Sequence, residues 1–385
     1  MTVRLALSLI TYAPTRVGGS ETYLRGLLEG LDRVGCSADV LVNALGAERL
    51  QSTIEETQHR FEVADVPLRA DGRPRFRWLG ANAVPRGRWG RRMGAYDAVH
   101  YPATVPIPRG SGAAWIVTLH DVQHLDMPEH TPPHYRAWRH LTYDRAATHA
   151  SRVITVSSHA KGRICERLGI PEDRVSAIPH GLDESLTASA DPVEDARLLA
   201  PLDIDRPYLL YPAGLWPHKN HSRLLEAVKL MGRKDFLLLL SGPTFDAGHN
   251  LEQEIVRLGL SGQVRHLGFQ SRETLHALLR QARGLVFPSL YEGFGSPPLE
   301  AMKSGTATAV SRVASLPEVC GEASLYFDPL VPEAIAESMR CLLDDEAARQ
   351  DLIVRGRDQA LKFTWERSAA GHVQAYADAV AGGTV

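Results

Sequence analysis

The sequence predicts an α/β protein made of two parallel-sheet domains. Short apolar runs alternate with amphipathic helical runs along the chain, the order that builds a parallel sheet with helices on its faces. The alternation stops over 185–207, which is rich in Ala, Asp and Pro, and restarts at residue 208. The length of 385 residues suits about two domains. The expected boundaries are 1–190 for the first domain, 191–207 for a linker, 208–364 for the second domain and 365–385 for a terminal helix.

Composition excludes several classes. Lys plus Arg is 43 and Asp plus Glu is 45, a net charge of −2, which argues against a general nucleic-acid binder. No run of about 18 apolar residues exists, so no membrane-spanning helix is expected. Residues 1–10 lack the basic start and long apolar core of a signal peptide, so a cytoplasmic location is expected. Cys36, Cys165, Cys320 and Cys341 form no Cys-x-x-Cys pair, which suggests neither zinc nor a disulfide framework.

In the first half, residues 3–10 read as a buried strand. Gly18 and Gly19 follow, then Tyr23, Leu24, Leu27, Leu28 and Leu31 at helical spacing, with Ser20 as a plausible N-cap. A glycine pair before a helix start is a candidate anion site, and equally a plain strand-to-helix turn. It lacks the G-x-G-x-x-G pattern, so no dinucleotide cofactor is expected. Further strands are expected at 38–43 and 60–67. Residues 69–92 carry eight arginines against the single acid Asp71, with Trp78 and Trp89 among them. Such a patch suits an anionic lipid surface or acceptor, or a solvated face. Strands at 96–101 and 113–119 come next, the second ending at His120, where open α/β sheets bind ligands. A histidine there can also be a structural loop residue. His124, His130, His134 and His140 follow without a zinc-ligand spacing, and no metal site is expected. Strands at 152–157, with Ser157 or Ser158 capping the next helix, and at 174–179 complete this half.

In the second half, Asp203-Ile204-Asp205 lies in the expected linker, where an Asp-x-Asp match is best read as chance. The strand at 208–213 leads to Pro217-His218-Lys219-Asn220 and a helix. A lysine at such a junction can share an anion with the helix N–H groups, although lysines are mostly surface residues. Strands are expected at 236–241, 264–269, 284–290, 306–311 and 323–328, with Leu316-Pro317-Glu318-Val319 in the same sheet. The strand at 284–290 runs into Tyr291-Glu292-Gly293-Phe294-Gly295-Ser296-Pro297-Pro298-Leu299-Glu300. Pro297 and Pro298 suit a first helical turn, and Gly295 allows close backbone approach. Free N–H groups there suit a phosphate, while Glu292 and Glu300 suit sugar hydroxyls. A turn with solvated acids meets the same spacing.

Glu292 and Glu300, with seven residues between them in E-G-F-G-S-P-P-L-E-A, resemble the E-x7-E motif of retaining nucleotide-sugar glycosyltransferases of the large family numbered four. The resemblance extends over T-V-S-S-H-A-K-G-R and I-P-E-D-R-V-S-A-I-P-H-G-L-D, although the family more often has asparagine at the place of His180. Residues 363–380 resemble the family's terminal helix, which crosses back to the first domain. The resemblance implies GT-B architecture, two Rossmann-like parallel-sheet domains facing a central cleft, with the acceptor side first and the donor side second. It implies catalytic roles for Glu292 and His120, the latter against the donor sugar. It also implies donor-binding roles for Gly18, Gly19, His218, Lys219, Phe294, Gly295, Ser296 and Glu300. Relatives often carry arginine where His218 stands, so a second fixed charge there is open. The implied activity is metal-independent, retaining hexosyl transfer from a nucleotide-sugar to a hydroxyl acceptor, which can be a lipid-linked glycan, a polysaccharide end or a small metabolite, with no cofactor. Relatives with a similar Pro-basic-Lys-Asn loop include mannosyltransferases, which tilts the donor toward GDP-mannose. The basic segment 69–92 is the expected place of any peripheral membrane contact. A sugar-nucleotide epimerase of the same fold and a non-catalytic sugar-nucleotide-binding protein are the rival readings.

Overall fold

The computed structural model describes residues 3–12, 19–51, 57–66, 88–108, 112–186, 191–244 and 251–382. Gly18 and residues 67–87 of the basic segment lie outside these. The chain divides into two compact units, Met1–Gly181 with Phe363–Val385, and Leu182–Lys362.

The first unit holds a seven-stranded parallel sheet in the order β3-β2-β1-β4-β5-β6-β7. Its strands are β1 (Leu5–Leu9), β2 (Asp39–Asn43), β3 (Arg60–Ala64), β4 (Ala98–Tyr101), β5 (Ala114–Thr118), β6 (Arg152–Thr155) and β7 (Val175–Ala177). β1 is buried at every position, as a central parallel strand covered on both faces must be. Leu5, Leu7 and Leu9 share one apolar cluster with Leu24, Leu27, Leu28 and Leu31 of the helix Gly19–Arg33. Ala6 and Ile10 belong to the opposite cluster, with Val99, Val117, Val153 and Ile164. The helix Trp365–Ala381 packs on the first of these faces through Trp365, Ala369 and Tyr376. A Cβ added at Gly26 would lie 1.9 Å from the Trp365 ring, so glycine is what lets the two helices meet there. Ser157 is the N-cap of the helix Ser158–Leu168, its Oγ accepting from the Ala160 N–H at 3.0 Å.

The second unit holds a six-stranded parallel sheet in the order β10-β9-β8-β11-β12-β13. The strands are β8 (Tyr208–Pro212), β9 (Leu237–Ser241), β10 (Val264–His266), β11 (Gly284–Phe287), β12 (Thr308–Ser311) and β13 (Leu325–Phe327).

Two stretches differ from expectation. The segment 191–207, expected as a linker, lies within the second unit and contains the helix Pro192–Leu199. Asp191 caps it by accepting from the Val193 N–H at 2.9 Å, and Pro192 starts it. Its Asp195 is buried against Arg280, with 2.9 Å between Nε and Oδ2, which docks this short helix on the helix Arg272–Gln281. Leu316–Cys320, expected in the sheet, is a helix with Pro317 in its first turn, where a missing N–H breaks no ladder. Among the described residues no helix is long and apolar enough to cross a membrane.

Candidate active site

In both sheets the strand order switches sides at the first strand, and an open α/β sheet opens a crevice at the carboxyl ends of the strands there. In the second unit those strands are β8 and β11. β8 leads to the 3-10 turn Pro217–Lys219, and β11 leads through residues 288–295 to the helix Ser296–Lys303.

Backbone and buried polar groups tie these loops together. The Leu290 N–H donates to the His218 carbonyl at 2.7 Å. The Tyr211 hydroxyl donates to the Lys219 carbonyl at 2.7 Å. Asn220 adopts the left-handed conformation at φ 61°. Its Nδ2 donates to the carbonyls of Pro288 at 3.0 Å and Pro329 at 2.8 Å. Ser315 Oγ lies 2.9 Å from the Glu292 carbonyl and 2.8 Å from the Phe294 carbonyl, its one proton shared between them.

The outcome is a close charge pair. Lys219 Nζ lies 2.5 Å from Glu292 Oε1, with side-chain exposures of 17% and 12%. The ammonium also sits 5.5 Å from the centroid of the Phe287 ring. Gly295 precedes the helix at φ 103°, a conformation that disfavours a side chain, and a Cβ there would meet Leu316 Cδ2 at 2.6 Å. Pro297 and Pro298 fill the first helical turn, as the sequence indicates. Phe294 is buried and Ser296 opens the helix. Glu300 follows in the same helix. Burial pushes its carboxyl up, and Arg272 acts in the opposite sense. Arg272 also pairs with Asp183.

In the first unit, His120 follows β5. Its ring stands edge-on to Tyr23, with centroids 5.0 Å apart, and to His180 at 5.5 Å. Tyr23 stacks on His180 at 4.8 Å, and His180 stacks on Trp365 at 6.0 Å. Burial holds the His120 imidazole down to about 4, opposed by Asp121 and reinforced by Arg139, so it is neutral at pH 7. Gly19 is exposed at the start of its helix, and among the described residues no atom beyond its chain neighbours and its own helix lies within 4 Å of an added Cβ.

Behind His120 runs a buried polar chain that the sequence did not reveal. His372 Nδ1 donates to the Ser368 carbonyl at 2.8 Å, which leaves Nε2 to accept from the Tyr23 hydroxyl at 3.0 Å. Tyr23 then accepts from Thr118 at 2.9 Å, and Thr118 accepts from His100 Nε2 at 2.8 Å. His100 Nδ1 accepts from Tyr376 at 2.9 Å. One assignment of protons, with both histidines neutral, satisfies every bond in the chain. Burial lowers both histidines, His372 to about 4, as that assignment requires. Only the helical spacing of Tyr23 pointed to any of these residues, because their partners lie up to 349 positions away.

Residues 199–359 match the family model described as Glycosyl transferases group 1, and residues 17–186 match Glycosyltransferase Family 4. The chain is 32% identical over 270 residues to the O-antigen chain mannosyltransferase B of Escherichia coli, covering 68% of this chain and 69% of that one. It is 27% identical over 393 aligned positions to an uncharacterized glycosyltransferase of Methanocaldococcus jannaschii, covering 97% and 98%. The Anabaena HepE protein, solved in complex with UDP-glucose, superposes with a TM-score of 0.73 at 18% identity, covering 96% and 98%. The protein belongs to the group 1, family 4 glycosyltransferases and is a glycosyltransferase with two Rossmann-like parallel-sheet domains of the GT-B class.

Proposed function

We propose that the protein transfers a hexose, with mannose from GDP-mannose favoured, to a hydroxyl of a glycan acceptor, with retention at the anomeric carbon and without a metal ion. The observation that carries this reading is the Lys219–Glu292 pair at the switch point of the second sheet, 2.5 Å apart and beside a glycine-started helix. Mannosyltransferase relatives favour the sugar, and the nucleotide-sugar in HepE favours the donor class.

The bond from anomeric carbon to phosphate breaks and negative charge grows on the leaving diphosphate. Lys219 and the N–H groups at Gly295 and Ser296 would stabilise that charge, the work a divalent cation performs elsewhere. Arrival of the diphosphate would draw Lys219 from Glu292 and release the carboxylate to sugar hydroxyls and to the oxocarbenium-like transition state. Glu300 would hold the ribose hydroxyls, Phe294 would close the apolar side, and Gly18, Gly19 and His218 would contact the diphosphate. His120, neutral at pH 7, would donate or accept one hydrogen bond at the donor sugar without adding charge. A donor phosphate oxygen would take the acceptor's proton as the new glycosidic bond forms.

The test is calorimetric binding of GDP, UDP, dTDP and ADP, with and without a chelator, followed by product analysis with the matching sugar donor. One chelator-insensitive binder and an α-linked product support the reading. Absence of binding by all four would overturn it.

A further inference from the structure

The helix Pro133–Arg139 continues into a π-helical turn, His140–Asp144, and carries an aromatic surface that the proposed chemistry leaves unused. Tyr135 is 42% exposed, Trp138 38% and Leu141 61%. Contiguous exposed apolar surface of this kind marks places where a ligand or partner binds. Tyr135 and Trp138 stack with centroids 5.6 Å apart and planes 19° from parallel, and Trp138 meets Tyr143 edge-on at 5.1 Å.

The surface is fixed from below and tied to the His120 turn. Asp144, 2% exposed, accepts from His124 Nε2 at 2.9 Å and His140 Nδ1 at 3.1 Å, which pins the wide turn. The Arg139 guanidinium lies 5.1 Å from the Tyr143 ring and 5.9 Å from the Tyr135 ring. It also reaches Asp121, the neighbour of His120, at 3.6 Å. π-turns recur at functional sites, where the extra residue re-aims side chains.

We propose that Tyr135 and Trp138 form a sugar-stacking subsite for the acceptor glycan, holding pyranose rings behind the one that receives the transferred residue. A pyranose presents C–H groups on a face and hydroxyls around its edge, which matches aromatic rings bordered by a few donors. Arg139 supplies such donors at 5.9 Å from the Tyr135 ring, and the exposed His134 lies on the same helix. An anionic lipid surface would call for free positive charge beside the rings, and the Arg139 charge there is offset by Asp121 at 3.6 Å. The inference rests on the acceptor-glycan reading and makes the acceptor an oligosaccharide rather than a small metabolite.

The test uses α-linked mannotetraose and methyl α-mannoside as probes of the full-length protein. Binding of the tetrasaccharide without donor should change tryptophan fluorescence, and Trp138→Phe should abolish the signal while keeping most of the affinity. Trp138→Ala and Tyr135→Ala should raise KM for the tetrasaccharide tenfold or more. They should leave KM for the methyl glycoside within twofold and GDP affinity unchanged. A wild-type protein that does not bind mannotetraose, or equal losses for long and short acceptors, would overturn the proposal. So would loss of vesicle binding in the variants with KM for the tetrasaccharide unchanged, which would put a lipid on the rings. Binding of the tetrasaccharide without transfer from any donor would keep the subsite and refute the function proposed above.

Discussion

Glu292→Gln leaves the Lys219 ammonium, with 17% of its side chain exposed, facing a neutral amide. Removing one member of a buried pair costs about 3–5 kcal/mol, and some solvent contact at both groups lowers the expectation here to about 2–3 kcal/mol. Lys219→Met should cost a similar amount by stranding the carboxylate. The double variant removes both charges and should cost less than either single, a coupling of about 1.5–3 kcal/mol. For a unit of this size each kcal/mol moves Tm by about 2–4 °C, so each single variant should melt about 4–12 °C lower. Calorimetry of the three variants gives the cycle, with hydrogen exchange over β8 and β11 locating the loss. Transfer should fall about a hundredfold or more in all three, because neither chemical group returns in the double variant. If the double variant recovered transfer along with stability, the pair would only hold two loops together, and the charge-exchange step would be refuted.

Three further outcomes follow from the geometry. Burial holds His372 and His120 down to about 4, against 6.5 for an ordinary histidine, so the unfolded chain binds more protons between those values. The stability they confer is complete above about pH 6.5 and drains away as pH falls toward 4, with His372 alone accounting for about 3 kcal/mol. Urea titrations of the first unit at pH 7.5 and 4.5 should show the difference, and equal midpoints would contradict it. Gly295→Ala puts a side chain at φ 103° and 2.6 Å from Leu316 Cδ2. It should cost about 1–3 kcal/mol and weaken nucleoside-diphosphate affinity, and unchanged affinity would remove this turn from the site. Gly26→Val should displace the terminal helix by driving Trp365 out of its seat, read as loss of near-ultraviolet circular dichroism from that ring.

The sheets were legible because buried parallel strands announce themselves as short apolar runs. Leu237–Ser241, four leucines and a serine, is buried at every position. Lys219 and Glu292 were legible as separate loop residues, since each follows a strand and precedes a helix. Their 2.5 Å approach was not, because β8 and β11 become neighbours only through the sheet order. The helix Pro192–Leu199 was missed although Asp191 and Pro192 signal its start, as eight residues are too few to show a period. Leu316–Cys320 was misassigned because a short apolar run fits either element. The His100–Thr118–Tyr23–His372 chain was beyond reach, since it joins four elements by bonds that sequence proximity cannot suggest.

The terminal segment Phe363–Val385, which contains the helix Trp365–Ala381, completes a unit whose other residues all precede Leu182. During vectorial synthesis the groove at Gly26 and Gly30 emerges long before the tryptophan that fills it. Tyr23 and His372 are separated by 349 residues, and ribosomes add about 5–20 residues per second, so the gap lasts roughly 20–70 s. The second unit is continuous in sequence and is made wholly within that interval. The nascent chain therefore exposes the apolar face of helix Gly19–Arg33 throughout synthesis of the second unit, which ends at Lys362, three residues before Trp365. In the cell, that face is where a chaperone would meet this protein.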